Sequence, residues 1–250
     1  VPCVRGEKRI CLCMTEPSAG SDVQAIRCKA VLNDAGTHYV VNGVKKWITN
    51  GEFADFFTVA CKTTNNAISL LLIERGPGVT TRKMPVQGCW GSGTAFVEFD
   101  NVQVPVGNLI GDEGNGLMML FANLVTERWG TCVLANRLAR VCLEEAVNHA
   151  AKRQTFGSAL IKNALIRDKI GNCARELEAT QAWIESITWQ WQNSSTFEQE
   201  RVLAGTIGLL KAQSTATLEL CAREASQIFG GLSYSRGGQG GKVERIARDT

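Results

Sequence analysis

The chain has 250 residues, of which 44% are apolar and 20% charged, enough for two domains with a sizeable core and an ordinary globular balance. The formal charge of +3 comes without a Lys/Arg run or basic stripe, so nothing argues for nucleic acid as a partner. No apolar run reaches membrane-spanning length and no basic-then-apolar signal opens the chain, so no transmembrane segment is expected.

Residues 10 to 105 read as β. Short runs rich in Val, Ile, Phe and Thr predict strands over Ile10–Thr15, Ile26–Leu32, His38–Val44, Phe56–Lys62, Ile68–Glu74, Val79–Pro85 and Thr94–Phe99. Turn formers such as Asn33-Asp34-Ala35-Gly36 and Arg75-Gly76-Pro77-Gly78 separate them, as in an antiparallel barrel or sandwich. Beyond Pro105 the period changes. From Asn115 to Phe229 there is no proline, and three helices are expected over roughly Met118–Arg153, Asn163–Gln192 and Glu198–Phe229, the first with a break before Glu127. Val133, Leu134, Leu138 and Val141 mark one apolar stripe; Leu203, Ile207, Leu210, Leu218 and Cys221 mark another, interrupted by Ser214 and Thr217. The expected fold is α+β by segregation: an antiparallel β-barrel or sandwich domain over 1–112, then an antiparallel helical bundle over 113–250.

Ten cysteines form no C-x-x-C pair, and only His38 and His149 accompany them, so no zinc or other metal site is expected. Reduced thiols inside apolar patterns suit an intracellular protein.

Two segments carry ligand chemistry. Met14-Thr15-Glu16-Pro17-Ser18-Ala19-Gly20-Ser21-Asp22 follows a strand and is dense in small polar groups. It reads either as a capped β-turn or as a loop offering backbone N–H groups and hydroxyls to a ligand. Gly43-Val44-Lys45-Lys46-Trp47-Ile48-Thr49-Asn50-Gly51 ends a strand. Its tryptophan and threonine serve either core packing before a hairpin or as an aromatic wall and a hydroxyl beside a planar cofactor.

Together these segments resemble the acyl-CoA dehydrogenase family. The resemblance continues, in the family's order, through Phe99-Asp100-Asn101-Val102-Gln103-Val104-Pro105, Asn108-Leu109-Ile110-Gly111, Arg153-Gln154-Thr155-Phe156-Gly157, Gln227-Ile228-Phe229-Gly230-Gly231 and Val243-Glu244-Arg245 with Arg248-Asp249. It implies FAD as cofactor, held between the β domain and the C-terminal helices. By that likeness Met14 and Thr15 meet the pyrimidine side of the flavin, Trp47 and Ile48 flank the ring, and Thr49 hydrogen-bonds near N5. Ser21 lies beside the pyrophosphate or the substrate's pantetheine arm. Arg153, Thr155, Phe156, Gln227, Gly230 and Gly231 reach the FAD of a neighbouring subunit, so a homotetramer or homodimer is implied. The tract Gly237-Gly238-Gln239-Gly240-Gly241-Lys242 lacks P-loop spacing and reads as a mobile turn.

The implied reaction is α,β-desaturation of an acyl-CoA thioester, with the α-proton passing to a glutamate, the β-hydride to flavin N5, and electron-transfer flavoprotein as the electron acceptor. Most of the family carries the base just past the Arg-Asp pair, a position beyond Thr250; a minority carries it where Thr126-Glu127-Arg128 stands here. Glu127 is therefore the candidate base and Arg128 a substrate-pocket residue. The bland reading makes Glu127 a solvated acid at a helix start and Arg128 a surface ion-pair partner. Gly93 and Ala164 stand where the family commonly has Asp and Gln.

Val1 and the charged end Arg248-Asp249-Thr250 suggest a chain lacking the family's N-terminal helical domain and C-terminal tail, and little turnover is expected of these 250 residues alone. Two other readings are an acyl-CoA or nitroalkane oxidase of the same fold, and a non-catalytic FAD-binding relative. Mitochondrial, peroxisomal and cytoplasmic placement all remain open, as does acyl chain length.

Overall fold

A computed structural model describes residues 2–195 and 202–250 of the chain. The chain divides into two compact units, Val1–Phe121 and Ala122–Thr250.

The first unit is built on strands β1 (Ile10–Cys13), β2 (Lys29–Leu32), β3 (His38–Ile48), β4 (Phe56–Lys62), β5 (Ile68–Glu74), β6 (Val79–Lys83), β7 (Ala95–Pro105) and β8 (Leu109–Ile110). They join in one sheet in the order β6-β7-β3-β2-β4-β5-β8, with β1 added beside β4. Two features depart from the antiparallel barrel expected from sequence. Strands β1 and β2 run parallel to β4, and β2 meets β4 at a single register position, Lys29 opposite Lys62. With so little pairing there, no closed barrel forms among the described residues. The sheet instead folds around one core, as in a sandwich. Phe57 of β4 and Phe99 of β7 meet edge to face inside it, their ring centroids 6.0 Å apart.

The second unit carries most of α1 (Gly116–Lys152), a two-stranded hairpin β9 (Gln154–Thr155) and β10 (Ser158–Ala159), then α2 (Ala164–Gln192), α3 (Leu203–Phe229) and α4 (Gly241–Asp249). Cross-helix contacts set the direction of each pair. From α1 to α2, Trp129 bonds Thr188, Asn136 bonds Gln181 and Arg140 pairs with Glu178; numbers rise on one helix as they fall on the other. From α2 to α3, Lys169 pairs with Glu224 and Thr180 meets Thr217. Both pairs are antiparallel. The expected start of the third helix at Glu198 lies outside the described residues.

Three local expectations are corrected. Helix α1 runs without a break through Glu127, since no proline or other breaker interrupts it. Its buried stripe is Cys132, Ala135, Ala139, Cys142, Ala146 and Ala150, while Val133 and Leu134 are exposed. Small side chains let the neighbouring helices approach closely; of the expected stripe, Leu138 and Val141 pack half-buried against this core, while its first two residues lie outside it. The tract 237–242 is not simply a mobile turn: it runs into α4, and a Cβ on Gly240 would lie 2.2 Å from the Leu232 carbonyl oxygen. On α3 the polar interruptions are accommodated, because Ser214 Oγ donates to the Leu210 carbonyl and Thr217 meets Thr180.

Eight of the ten cysteines are buried, in β1, just before β2, in β4 and in the three long helices. Burial pushes the Cys28 thiol up to about 11, and Cys61 and Cys142 up to about 12. The fold therefore favours the neutral thiol. Stability from these groups is fully present below the unfolded value of about 9 and is lost as pH rises through about 11 to 12. Urea midpoints should hold from neutrality to about pH 9 and fall above it; a midpoint unchanged at pH 11 would contradict this.

Candidate functional site

Strand β1 stops at Cys13 and the chain enters a tight turn. Pro17 lacks an N–H and holds Glu16 out of helical geometry; Glu16 and Ala19 then exchange backbone hydrogen bonds of 2.9 and 3.2 Å. Glu16 is buried. Its carboxylate accepts from the backbone N–H of Arg27 (2.6 Å) and of Cys28 (3.0 Å), and from the Lys45 ammonium (2.8 Å). The two charged side chains are 2% and 0% exposed. Lys45 also donates to the Met14 carbonyl at 3.0 Å, and the Lys46 N–H donates to the Thr15 carbonyl at 2.9 Å. The loop is thus fastened to β3 at three points, with both its leading carbonyls engaged.

Strand β3 is irregular where this fastening occurs. Lys45 stands opposite Val97 but Ile48 stands opposite Ala95, so one extra residue is accommodated as a bulge. Trp47 in the bulge has φ 66°, a costly conformation for an aromatic residue. The strained turn puts its indole on the surface, 53% exposed, with the Lys46 ammonium 4.5 Å from the ring centroid. Ile48 is buried and anchors the strand end, while Thr49 is exposed. The turn that follows is held from below. Asn50 donates to the Ser92 and Ile10 carbonyls, and Arg75 donates to the carbonyls of Gly51 (2.9 Å) and Ala54 (2.6 Å). Met14, Thr15, Trp47 and Thr49 are thereby grouped in one framework, and Ser21 lies exposed farther along the same loop.

Sequence reading passed over Glu16, Lys45 and Arg75. A signal existed for Lys45: alternation from the fully buried Val41 points every second residue of β3 inward, and Lys45 lies on that face.

In the second unit, Arg153 follows α1, and Thr155 opens a hairpin whose two-residue turn is Phe156-Gly157, with φ 48° and 76°. This primed-type turn leaves Phe156 fully exposed. Helix α3 ends at Phe229 with Gly230 at φ 61° and ψ −138°, a backbone conformation that only glycine adopts readily. A Cβ on Gly230 or Gly231 would meet nothing within 4 Å, so open space adjoins this backbone. Gln227 is exposed one turn earlier. Arg153 and Phe229 both line a cleft of about 460 Å³ with Glu145, His149 and Lys152. His149 stacks on Phe229, with centroids 4.3 Å apart, and burial followed by the Arg153 charge holds it below the ordinary imidazole range.

Glu127 and Arg128 are exposed on α1, roughly seven turns before Arg153. Glu127 stands about three turns into the helix, so the expected helix-start position does not hold and the macrodipole has no part in its placement. Its Oε1 accepts from Asn123 Nδ2 at 2.6 Å, one turn back. No group of three His, Cys, Asp or Glu side chains suited to a metal occurs among the described residues, and none of their helices is long and apolar enough to cross a membrane.

Residues 11–102 match the family model "Acyl-CoA dehydrogenase, middle domain", and residues 114–250 match "Acyl-CoA dehydrogenase, C-terminal domain". The chain is 39% identical to the acyl-CoA dehydrogenase apdG of Emericella nidulans, across 98% of this chain and 57% of that protein. A crystal structure of acyl-CoA dehydrogenase from Geobacillus kaustophilus superposes with a TM-score of 0.90 at 32% identity, covering 99% of this chain and 64% of that one. Another, from Bacillus anthracis and complexed with FAD, gives 0.85 at 29% identity, covering 96% and 43%. The chain spans 57% and 58% of the length of two fungal relatives and 38% of a very long-chain specific acyl-CoA dehydrogenase of Bos taurus.

Proposed function

The chain belongs to the acyl-CoA dehydrogenase family, and on that premise we propose that it is the flavin-holding core of an enzyme that desaturates acyl-CoA thioesters. The observation that carries the proposal is the framework in which a strained bulge presents Trp47 and Thr49 beside the fastened Met14–Thr15 loop. FAD fits the residues present. An exposed indole offers a flat wall to a ring system, and the exposed Thr49 and Ser21 hydroxyls offer hydrogen bonds. The open backbone at Gly230-Gly231 would admit a phosphate or adenosine group of a neighbouring protomer's FAD closely. Bound at Trp47 and Thr49, FAD would supply the hydride acceptor.

The chain's own residues divide the remaining work. Glu127 takes the α-proton of the thioester as the β C–H bond is broken, leaving a neutral enoyl product. Arg128 lines the substrate pocket, and Ser21 lies beside the pantetheine arm. Trp47 flanks the ring and excludes water from one face, Thr49 donates near the position that receives the hydride, and the expected contact from Ile48 is corrected, because its side chain is buried in the sheet core. Residues 1–112 supply the ring contacts, and Glu127 lies in 113–250. By the family resemblance, the cleft at Arg153, with Thr155, Phe156, Gln227, Gly230 and Gly231, serves the FAD of a neighbouring protomer, so a homodimer or homotetramer is proposed. Electron-transfer flavoprotein is the proposed acceptor.

Stacking of an aromatic ring on a planar base contributes about 1–3 kcal/mol, so Trp47→Ala should weaken FAD binding by roughly tenfold or more. Equilibrium titration of the apoprotein with FAD checks this. An affinity unchanged in the variant would remove Trp47 from the site.

A further inference from the structure

The Glu16–Lys45 pair is buried more completely than any other ion pair described in the chain, at 2% and 0% exposure. Taking both charges out of water is costly, and such a pair seldom adds net stability over apolar residues of the same size. Its geometry points to another use. The Lys45 ammonium is shared between Glu16 Oε1 at 2.8 Å and the Met14 carbonyl at 3.0 Å. That carbonyl belongs to the peptide whose N–H is on Thr15. A cation on the oxygen of a peptide draws electron density from its nitrogen, and in a low-dielectric setting hydrogen bonds in series strengthen one another. Glu16 is itself fixed by the N–H groups of Arg27 and Cys28, so the ammonium is held in place rather than free to follow the ligand.

We propose that Lys45 is a positioning residue that polarises the Met14–Thr15 peptide, making the Thr15 N–H a stronger donor to an electron-rich heteroatom of the bound cofactor and favouring the cofactor's reduced, more negative state. The inference rests on the flavin site proposed above, with the pyrimidine edge of the flavin at Thr15. Glu16 opposes the effect electrostatically while fixing the geometry, so the two partners have opposite signs.

The test is the flavin midpoint potential and the FAD dissociation constant of the intact protein and two variants. Lys45→Met should lower the potential by about 30 mV, equal to a tenfold loss of preference for reduced over oxidised flavin in a two-electron couple. Glu16→Gln keeps the side-chain volume and one acceptor oxygen for these N–H groups, removes the opposing charge, and should raise the potential. A purely structural role predicts instead that both variants weaken FAD binding together with no change of potential, and that result overturns the inference. If Lys45→Met fails to fold, a potential in Glu16→Gln equal to or below that of the parent overturns it equally. Absence of flavin binding by the parent protein would instead remove the proposed site, a distinct outcome.

Discussion

Replacing Glu127 with glutamine is expected to slow acyl-CoA-dependent reduction of the bound flavin by about 10²- to 10⁴-fold, the usual contribution of a positioned general base, while FAD remains bound. The substitution keeps an acceptor oxygen for Asn123 Nδ2 and leaves α1 intact, so loss of rate without loss of flavin isolates the proton transfer. The carboxylate is exposed in the chain itself. Rapid-mixing measurements at saturating acyl-CoA should show the defect in the reduction step, with substrate binding close to normal. Undiminished bleaching in Glu127→Gln would place the base elsewhere and return Glu127 to a solvated helix residue.

Phe57→Ala is expected to lower stability by about 3–5 kcal/mol, as for other fully buried aromatic residues truncated in a core. That is a large part of the 5–15 kcal/mol typical of a domain, and it should reduce Tm by roughly 10–20 °C. Phe57 is fully buried, meets Phe99 edge to face and lies under the Arg75 guanidinium, 5.1 Å from its ring. Arg75 in turn holds the carbonyls of the turn that follows Thr49. The cavity should therefore loosen the site along with the core, and FAD affinity should fall along with Tm. Calorimetry that found a loss below 1 kcal/mol would show that the sheet closes over the gap.

The parts of this fold most legible in the sequence were those with clear punctuation. Strands β4 and β5 have the predicted bounds Phe56–Lys62 and Ile68–Glu74, because polar and turn-forming residues flank runs that are mostly apolar. Strand β3 runs four residues past the predicted end at Val44. Its bulges break the two-residue period there, and two adjacent lysines look like solvent-facing charge. One of them, Lys45, is the most deeply buried cation described. The stripe on α1 was misread for a related reason: hydrophobicity favours Val133 and Leu134 over Ala135 and Ala139, whereas close helix packing selects for size. The two candidate ligand motifs were legible as groups, since Trp47, Thr49, Met14 and Thr15 do share one framework. What fastens them was not, because the Glu16–Lys45 contact joins residues 29 apart and depends on a turn and a bulge that only the folded chain brings into register.

The most direct test is an anaerobic titration of the intact, FAD-loaded protein with saturated acyl-CoAs of C4 to C20. Loss of the oxidised flavin band is expected with at least one chain length, matched by enoyl-CoA formed one for one with flavin reduced. Flavin that stays oxidised with every acyl-CoA shown to be bound would contradict the proposed desaturation.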